Sequence, residues 1–355
     1  MLEGRVYVPL LHARLAEIRA LRELPDSSKN LMVPIVKLRP WLTSKSLERA
    51  LEVVEQAVGN RLYGLDLDES KFDENPDPDK PARVEFCALF DSTDAFRNYY
   101  DLVECGPNRV PVFRDLTSQN PQIDDQLDQV EELERGLFVR AFPGQPGSLL
   151  QVADEILARG IENTVFILDC GWGRDILTQT ALCAGVVQNL VDRSEQLEIV
   201  IAGSSFPNSF TGIGERAEFV ARERNLFQEV RRLVNGGNLT YGDWGSTRPP
   251  SDPVPMRNIP RIDLARPNDW VCLRSEEGEE YEDIAKRAID DPAWDGELGI
   301  WGEYMIESTA EGSEGSIRSP AMAAAVRVNL HLHQQANYDN PNGLHVGDEV
   351  IGDDL

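Results

Sequence analysis

Between residues 5 and 250 the chain repeats one unit eight times: a short β-rich apolar run, then a stretch patterned for a helix. The apolar runs begin near Arg5 (RVYVPLL), Leu31 (LMVPIVKLRP), Arg61 (RLYGLDLD), Arg109 (RVPVFRD), Leu137 (LFVRAF), Val165 (VFILDCG), Leu197 (LEIVIAGS) and Leu239 (LTYGDWG). Strands separated by helices are expected to pair in parallel, because each helix carries the chain back to the same end of the sheet. Eight such units in about 250 residues match the size of a (β/α)8 barrel of the TIM type. The expected organisation is therefore a barrel over residues 1–250 and a C-terminal extension over 251–355 that packs on it. Barrels of this kind act at the C-terminal ends of their strands, which directs attention to the charged residues there.

Helices are expected between the strands on period and punctuation. Leu47, Ala50, Leu51, Val54 and Val58 form a stripe of period 3.6 after Ser46. Asp124 to Arg135 reads as a strongly acidic helix with a thin apolar edge. Ser148 stands as an N-cap to a helix that stops at Gly160. Helices over Thr178–Ser194 and Arg216–Val234 follow the sixth and seventh strands. The third unit is longer, and its acidic, proline-rich loop Glu69–Pro81 follows Asp66 and Asp68 directly, where lids and solvated excursions both occur. Beyond Pro249-Pro250 the pattern changes. Ser251–Pro260 should run extended, Asp269–Arg274 reads as a strand, and Tyr281–Ile289 and Pro320–Gln335 read as helices. Gly299–Ile306 carries aromatic residues at helix or strand spacing, and an acidic tail begins at about residue 337.

Side-chain parity nominates the residues of the mouth. In the third strand the apolar set Tyr63, Leu65 and Leu67 should face the helices, which turns Gly64, Asp66 and Asp68 inward. The same count aims Lys37 and Arg39 inward above Val33 and Ile35, and Asp169 inward above Val165 and Ile167. Arg140 stands at the end of the fifth strand. From the eighth run either Asp243 or Trp244 enters the mouth. A layer of this kind has two readings: charges that neutralise one another, or a site for a charged ligand. Asp66, Asp68 and Asp169 are hard oxygen donors of the type magnesium favours, which would suit metal-assisted phosphoryl or phosphodiester chemistry, with Lys37, Arg39 and Arg140 holding the anion. His12 is the only histidine within the barrel strands, so the histidine clusters of zinc barrels are absent.

Two Gly-Ser elements close the seventh and eighth strands, Gly203-Ser204-Ser205 and Gly245-Ser246-Thr247, with Arg248 beside the second. Loops at these positions bind phosphate in many barrels, through backbone N–H groups and small hydroxyls. His331-x-His333 would bring two imidazoles together only in an extended segment, since residues two apart on a helix face different ways.

The net charge of −26 disfavours non-specific binding to duplex nucleic acid. Five scattered cysteines fit reduced thiols, and no apolar run approaches the roughly 18 residues of a membrane span. The N-terminus lacks the pattern of a signal peptide, so a cytoplasmic protein is expected.

Tyr7-Val8-Pro9-Leu10-Leu11-His12-Ala13-Arg14, followed by Glu17 and Ala20-Leu21, resembles the opening of the phage beta-protein family. Tyr241-Gly242-Asp243-Trp244-Gly245-Ser246-Thr247-Arg248-Pro249 is similar to another of its phrases, as are Pro260-Arg261-Ile262 with Trp270, and Asn329-Leu330-His331. The resemblance spans nearly the whole chain and implies a setting of phage–host conflict, with antiphage defence as the expected context. It implies no particular reaction and transfers no catalytic residue. Two functions therefore stand: binding or processing of a phosphate-bearing small molecule or nucleotide at the mouth, or an inert barrel contacting a protein partner through its acidic surface.

Overall fold

The computed structural model describes residues 1–41, 46–117, 120–210, 212–247, 259–275 and 278–346. Seven strands follow in order: β1 (Tyr7–His12), β2 (Ile35–Leu38), β3 (Tyr63–Leu67), β4 (Arg109–Pro111), β5 (Leu137–Ala141), β6 (Thr164–Trp172) and β7 (Glu198–Ser204). The next, β8 (Arg216–Val220), lies elsewhere, and β9 (Asn238–Asp243) completes the set. Their spatial order is β4-β3-β2-β1-β9-β7-β6-β5, parallel throughout. The two outer strands meet at a single bridge, Val112 to Phe138, where the Phe113 N–H donates to the Phe138 carbonyl at 2.8 Å. The barrel closes, with a thin seam. Pro111 has no N–H to give a neighbour, which helps keep β4 short.

The helices after β1 are α1 (Leu15–Arg22) and α2 (Asp26–Lys29), and α3 (Glu48–Val58) follows β2. A 3-10 turn at Glu69–Lys71, then α4 (Pro81–Ala88) and α5 (Arg97–Glu104), fill the long third connection. Next come α6 (Ile123–Leu133), α7 (Leu149–Arg159), α8 (Ile176–Val191) and α9 (Arg222–Leu233). Alternation divides each strand cleanly. Val8, Leu10, Val33, Ile35, Val110, Val112, Phe138, Val165, Ile167, Val200 and Ala202 pack inside the barrel, and Leu2 joins them. Tyr63, Leu65, Leu67, Phe166, Leu168, Ile199 and Ile201 face the helices in a separate cluster. Gly64 lies inside, where a Cβ would stand 2.5 Å from Ile35 Cδ1 and 3.0 Å from Phe138.

Two expectations need correction. Residues 216–220 were expected to be helical, but they alternate in exposure and form β8, which pairs antiparallel with β11 (Asp269–Arg274). The helical period begins only at Arg222, after Ala221. Ser148 does occupy the N-cap of α7, and Gly160 ends it with φ +69°, but the serine hydroxyl makes no capping bond. Its backbone N–H donates instead to the Leu116 carbonyl at 2.9 Å. The expected extended run Ser251–Pro260 lies mostly outside the described residues, as does the tail beyond residue 346.

The C-terminal segment adds β10 (Arg261–Ala265) and three helices, α10 (Tyr281–Ile289), α11 (Trp301–Ala310) and α12 (Pro320–Ala336). Its sheet has the order β10-β11-β8, so the loop between β7 and α9 supplies one of its strands. Trp270, Ile284, Trp301 and Ile306 centre a second apolar cluster. Helix α12 belongs to both: Val326 and Leu330 pack in that cluster, Val328 and Leu332 against the barrel.

Candidate functional site

The inward parity of the strands carries His12, Lys37, Asp66, Arg140, Asp169, Ser204 and Trp244 to the C-terminal mouth. Arg140 is the hub. Its Nε donates to Asp66 Oδ2 at 3.0 Å, one Nη to Asp169 Oδ2 at 3.1 Å and the other to Glu69 Oε1 at 3.1 Å. Arg114, just past β4, donates to Asp66 Oδ1 at 2.8 Å. Lys37 pairs with Glu69 and lies 3.8 Å from Asp66 Oδ2. Trp244 caps the ring, donating its indole N–H to Asp169 Oδ1 at 3.0 Å. A bulge after Asp169 turns the Gly171 N–H back onto the same oxygen at 2.9 Å. Asp68 and Arg39 form a neighbouring pair at 3.8 Å, with Ser70 donating its N–H and hydroxyl to Asp68 Oδ1.

Burial alone would push the Asp66 carboxyl up. The charges of Arg140, Lys37 and Arg114 outweigh that and hold it well below the usual carboxylate range. Arg140 is the converse: burial would lower it, and Asp66, Glu69 and Asp169 together raise it. His12 is buried and stacks on Trp244 at 5.2 Å. Desolvation, then Arg14, Lys37, Arg39 and Arg140, drive its imidazole well below the usual value, so it is neutral at pH 7. Glu17 of α1 lies 3.9 Å from His12 Nδ1, and burial pushes its carboxyl up to about 7.

Beside this ring, off the barrel axis, opens a cleft of about 940 Å³ above β3, β4 and β5. Arg114, Arg140, Asp66 and Glu69 supply its charge, and Phe90, Phe96, Phe113 and Phe142 its apolar wall. The Arg114 guanidinium is held over the Tyr99 and Phe90 rings at 5.3 and 5.6 Å, and that of Arg140 over Phe142 at 5.4 Å. Strained backbone surrounds the cleft. Asp94, Ala95 and Phe96 are three consecutive left-handed residues with φ of +47°, +55° and +64°, and Asp115 has φ +56°. Gly147, at φ +57°, lies so close to the Leu116 carbonyl that a Cβ could not fit.

Asp243 does not enter the mouth; Trp244 does. Asp243 points outward into a buried polar cluster, accepting from Tyr7 at 2.5 Å, Tyr241 at 2.7 Å and the Gly245 N–H at 2.7 Å, and pairing with His331 Nε2 at 2.8 Å. Ser204 donates to the Thr247 carbonyl and Ser205 to Glu223. Gly245 packs towards Leu11 and α12, and the Ser246 hydroxyl is buried without a partner. The two Gly-Ser loops thus touch each other, but Ser204, Ser205 and Gly245 are engaged within the protein. Arg248 lies outside the described residues.

Asp66, Asp68 and Asp169 do not assemble into a metal-ligand set. The Arg140 guanidinium stands between Asp66 and Asp169, and among the described residues no three His, Cys, Asp or Glu side chains are grouped to hold an ion. His331 and His333 face apart on α12, the second held by Ser28 and the Leu344 carbonyl at 2.8 Å each.

Two residues at the centre of the site escaped the sequence reading. Arg114 was legible by parity, since Val110 and Val112 point inward four and two residues before it. Glu69 was not, because it belongs to a loop with no period to count.

The family model described as Beta protein matches residues 7–337. Protein beta of Enterobacteria phage P4 is 26% identical to this chain over 350 residues, covering 94% of this chain and 93% of that protein. No solved structure matches the chain.

Proposed function

The chain belongs to the Beta protein family, and from that premise we propose that its barrel binds a phosphate-bearing small molecule or nucleotide in the cleft above β3, β4 and β5. The observation that carries this reading is the pairing of two guanidinium groups, Arg114 and Arg140, with four phenylalanines around one cavity of about 940 Å³. That volume lies at the upper end of small-molecule sites, which typically combine apolar walls with a few convergent polar groups. Arginine forks suit phosphate oxygens, and the exposed ring of Phe142 suits a planar base. The anion position moves from the Gly-Ser loops to the cleft, because Ser204, Ser205 and the Gly245 N–H already have protein partners. The arrangement favours binding without a metal ligand set of its own. The biological setting we propose is phage–host conflict, with antiphage defence as its expression in bacterial genomes.

Calorimetry with AMP, ATP and inorganic phosphate, with and without magnesium, tests the proposal. Binding is expected for the wild type, and Arg114→Ala should weaken it about tenfold or more, as one lost charge-assisted hydrogen bond implies. Absence of binding by all three probes would defeat it. One observation favours the alternative, an inert scaffold acting through its acidic surface. Every charged side chain of the mouth ring has an opposite charge within 3.8 Å, so the layer is also complete as a purely structural network.

A further inference from the structure

Glu69 differs from every other carboxylate of the mouth. The side chains of Asp66, Asp68 and Asp169 are 0–2% exposed and stand on or at the ends of strands, whereas that of Glu69 is 51% exposed and sits on a 3-10 turn. Its two oxygens are divided between two cations, Oε2 on Lys37 and Oε1 on Arg140. Those cations keep strand partners without it: Lys37 has Asp66 at 3.8 Å, and Arg140 has Asp66 at 3.0 Å and Asp169 at 3.1 Å. Glu69 is therefore the exposed member of the network, and its departure leaves no buried charge alone.

We infer that the Glu69 carboxylate occupies the anion position of the cleft, and that an incoming carboxylate or phosphate group displaces it to bridge Lys37 and Arg140. This inference rests on the reading of the cleft as a ligand site. Glu69 lines the cleft, so an anion entering there meets it first. Three residues on, Phe72 is exposed yet packs at a tilt against Phe90, ring centroids 4.9 Å apart, and Phe90 lies in the cleft wall beneath Arg114. The loop from Glu69 to Phe72 thus grips the cleft twice, once by charge and once by an aromatic contact. Release of the first grip frees the turn to move over a bound ligand. The ligand class this selects is a small molecule with a terminal anion and an apolar or planar body. A neutral ligand of the same shape gains nothing from displacing Glu69.

The test compares wild type, Glu69→Gln, Glu69→Ala and a control, Glu74→Gln, with inorganic phosphate and AMP as probes in calorimetry. Glu74 is exposed on the same loop, so its substitution changes the net charge equally without touching Lys37 or Arg140. Both Glu69 variants should bind the probes at least about tenfold more tightly than wild type, a change of about 1.4 kcal/mol, with Glu74→Gln unchanged. If wild type binds and the Glu69 variants bind equally or more weakly, the displacement is wrong while the ligand site stands. If Glu74→Gln tightens binding as much, general charge relief explains the gain and the displacement is again wrong. If no form binds either probe, the ligand site itself fails and this inference with it.

Discussion

Arg140 on β5 and Asp66 on β3 hold one another at 3.0 Å across the strand that separates them. That intervening strand, β4, is three residues long and joins β5 by one bridge. Arg114 reaches the same carboxylate from the end of β4 at 2.8 Å. The ion pairs that furnish the cleft with cations therefore also clasp the thinnest part of the barrel wall, so the proposed ligand site and barrel closure draw on the same side chains.

Arg140→Met is expected to destabilise the protein by about 3–5 kcal/mol, because it leaves the buried Asp169 without a cation and takes the one at 3.0 Å from Asp66. Asp66→Asn should cost less in that background than in the wild type, because Arg140 is then no longer there to lose its partner. Denaturant unfolding of the two single variants and the double variant measures the coupling. Strict additivity would mean that the clasp contributes nothing to closure.

Gly147→Ala should cost more than about 1 kcal/mol, because it forces a Cβ onto the Leu116 carbonyl at a left-handed position. The wall at Asp115–Thr117 must shift to accept it, so AMP binding should weaken as well. A variant as stable as wild type, with unchanged binding, would show that the two loops are not packed as described.

Glu17 gives a pH signature. Burial raises its carboxyl from 4.5 to about 7, against the opposing charge of Arg14. The folded protein then keeps a proton that the unfolded chain has already released. The group's contribution is full below about pH 4.5 and is lost as pH rises through about 7. Glu17→Gln should flatten this part of the pH profile and exceed wild-type stability at pH 8 by about 1–3 kcal/mol. Urea midpoints at pH 6 and pH 8 decide it; the same difference between variant and wild type at both pH values would contradict the assignment.

Asp243→Ala should cost about 3 kcal/mol or more, since it leaves Tyr7, Tyr241 and the Gly245 N–H without their acceptor in a buried cluster. Asp243→Asn retains an oxygen acceptor and should lose less. Thermal melts of the two variants rank them, and equal losses would argue that charge, rather than hydrogen bonding, holds the cluster.

What could be read in advance follows the physics of periodicity. The inward aim of Asp169 followed from its parity with Val165 and Ile167, although Phe166 and Leu168 make the opposite face of that strand equally apolar. The eighth barrel strand offered no such guide: Tyr241 and Trp244 are both large and aromatic but face opposite ways, and Gly242 between them has no side chain to reveal its face. Hence Asp243 and Trp244 could not be told apart until the register Tyr7 to Tyr241 was known. β8 was hidden because Ala217 and Phe219 sit directly before a genuine helical stripe, and their partner strand lies some fifty residues downstream. Glu69 and the left-handed run Asp94–Phe96 belong to loops, whose geometry arises from contacts and leaves no repeat in the chain.

The cluster at Asp243 joins the first strand of the barrel to its last long helix, for Tyr7 and His331 share the one carboxylate. During synthesis Tyr7 leaves the ribosome early and His331 late, with every barrel strand emerging between them. Until α12 appears, the carboxylate of Asp243 has its tyrosines but lacks the imidazole, and Val328 and Leu332 are missing from the barrel's outer core. A nascent chain that halts before residue 320 is thus a barrel with an open flank, exposed to proteases and to aggregation. The outer core of the barrel thus waits on a single late helix.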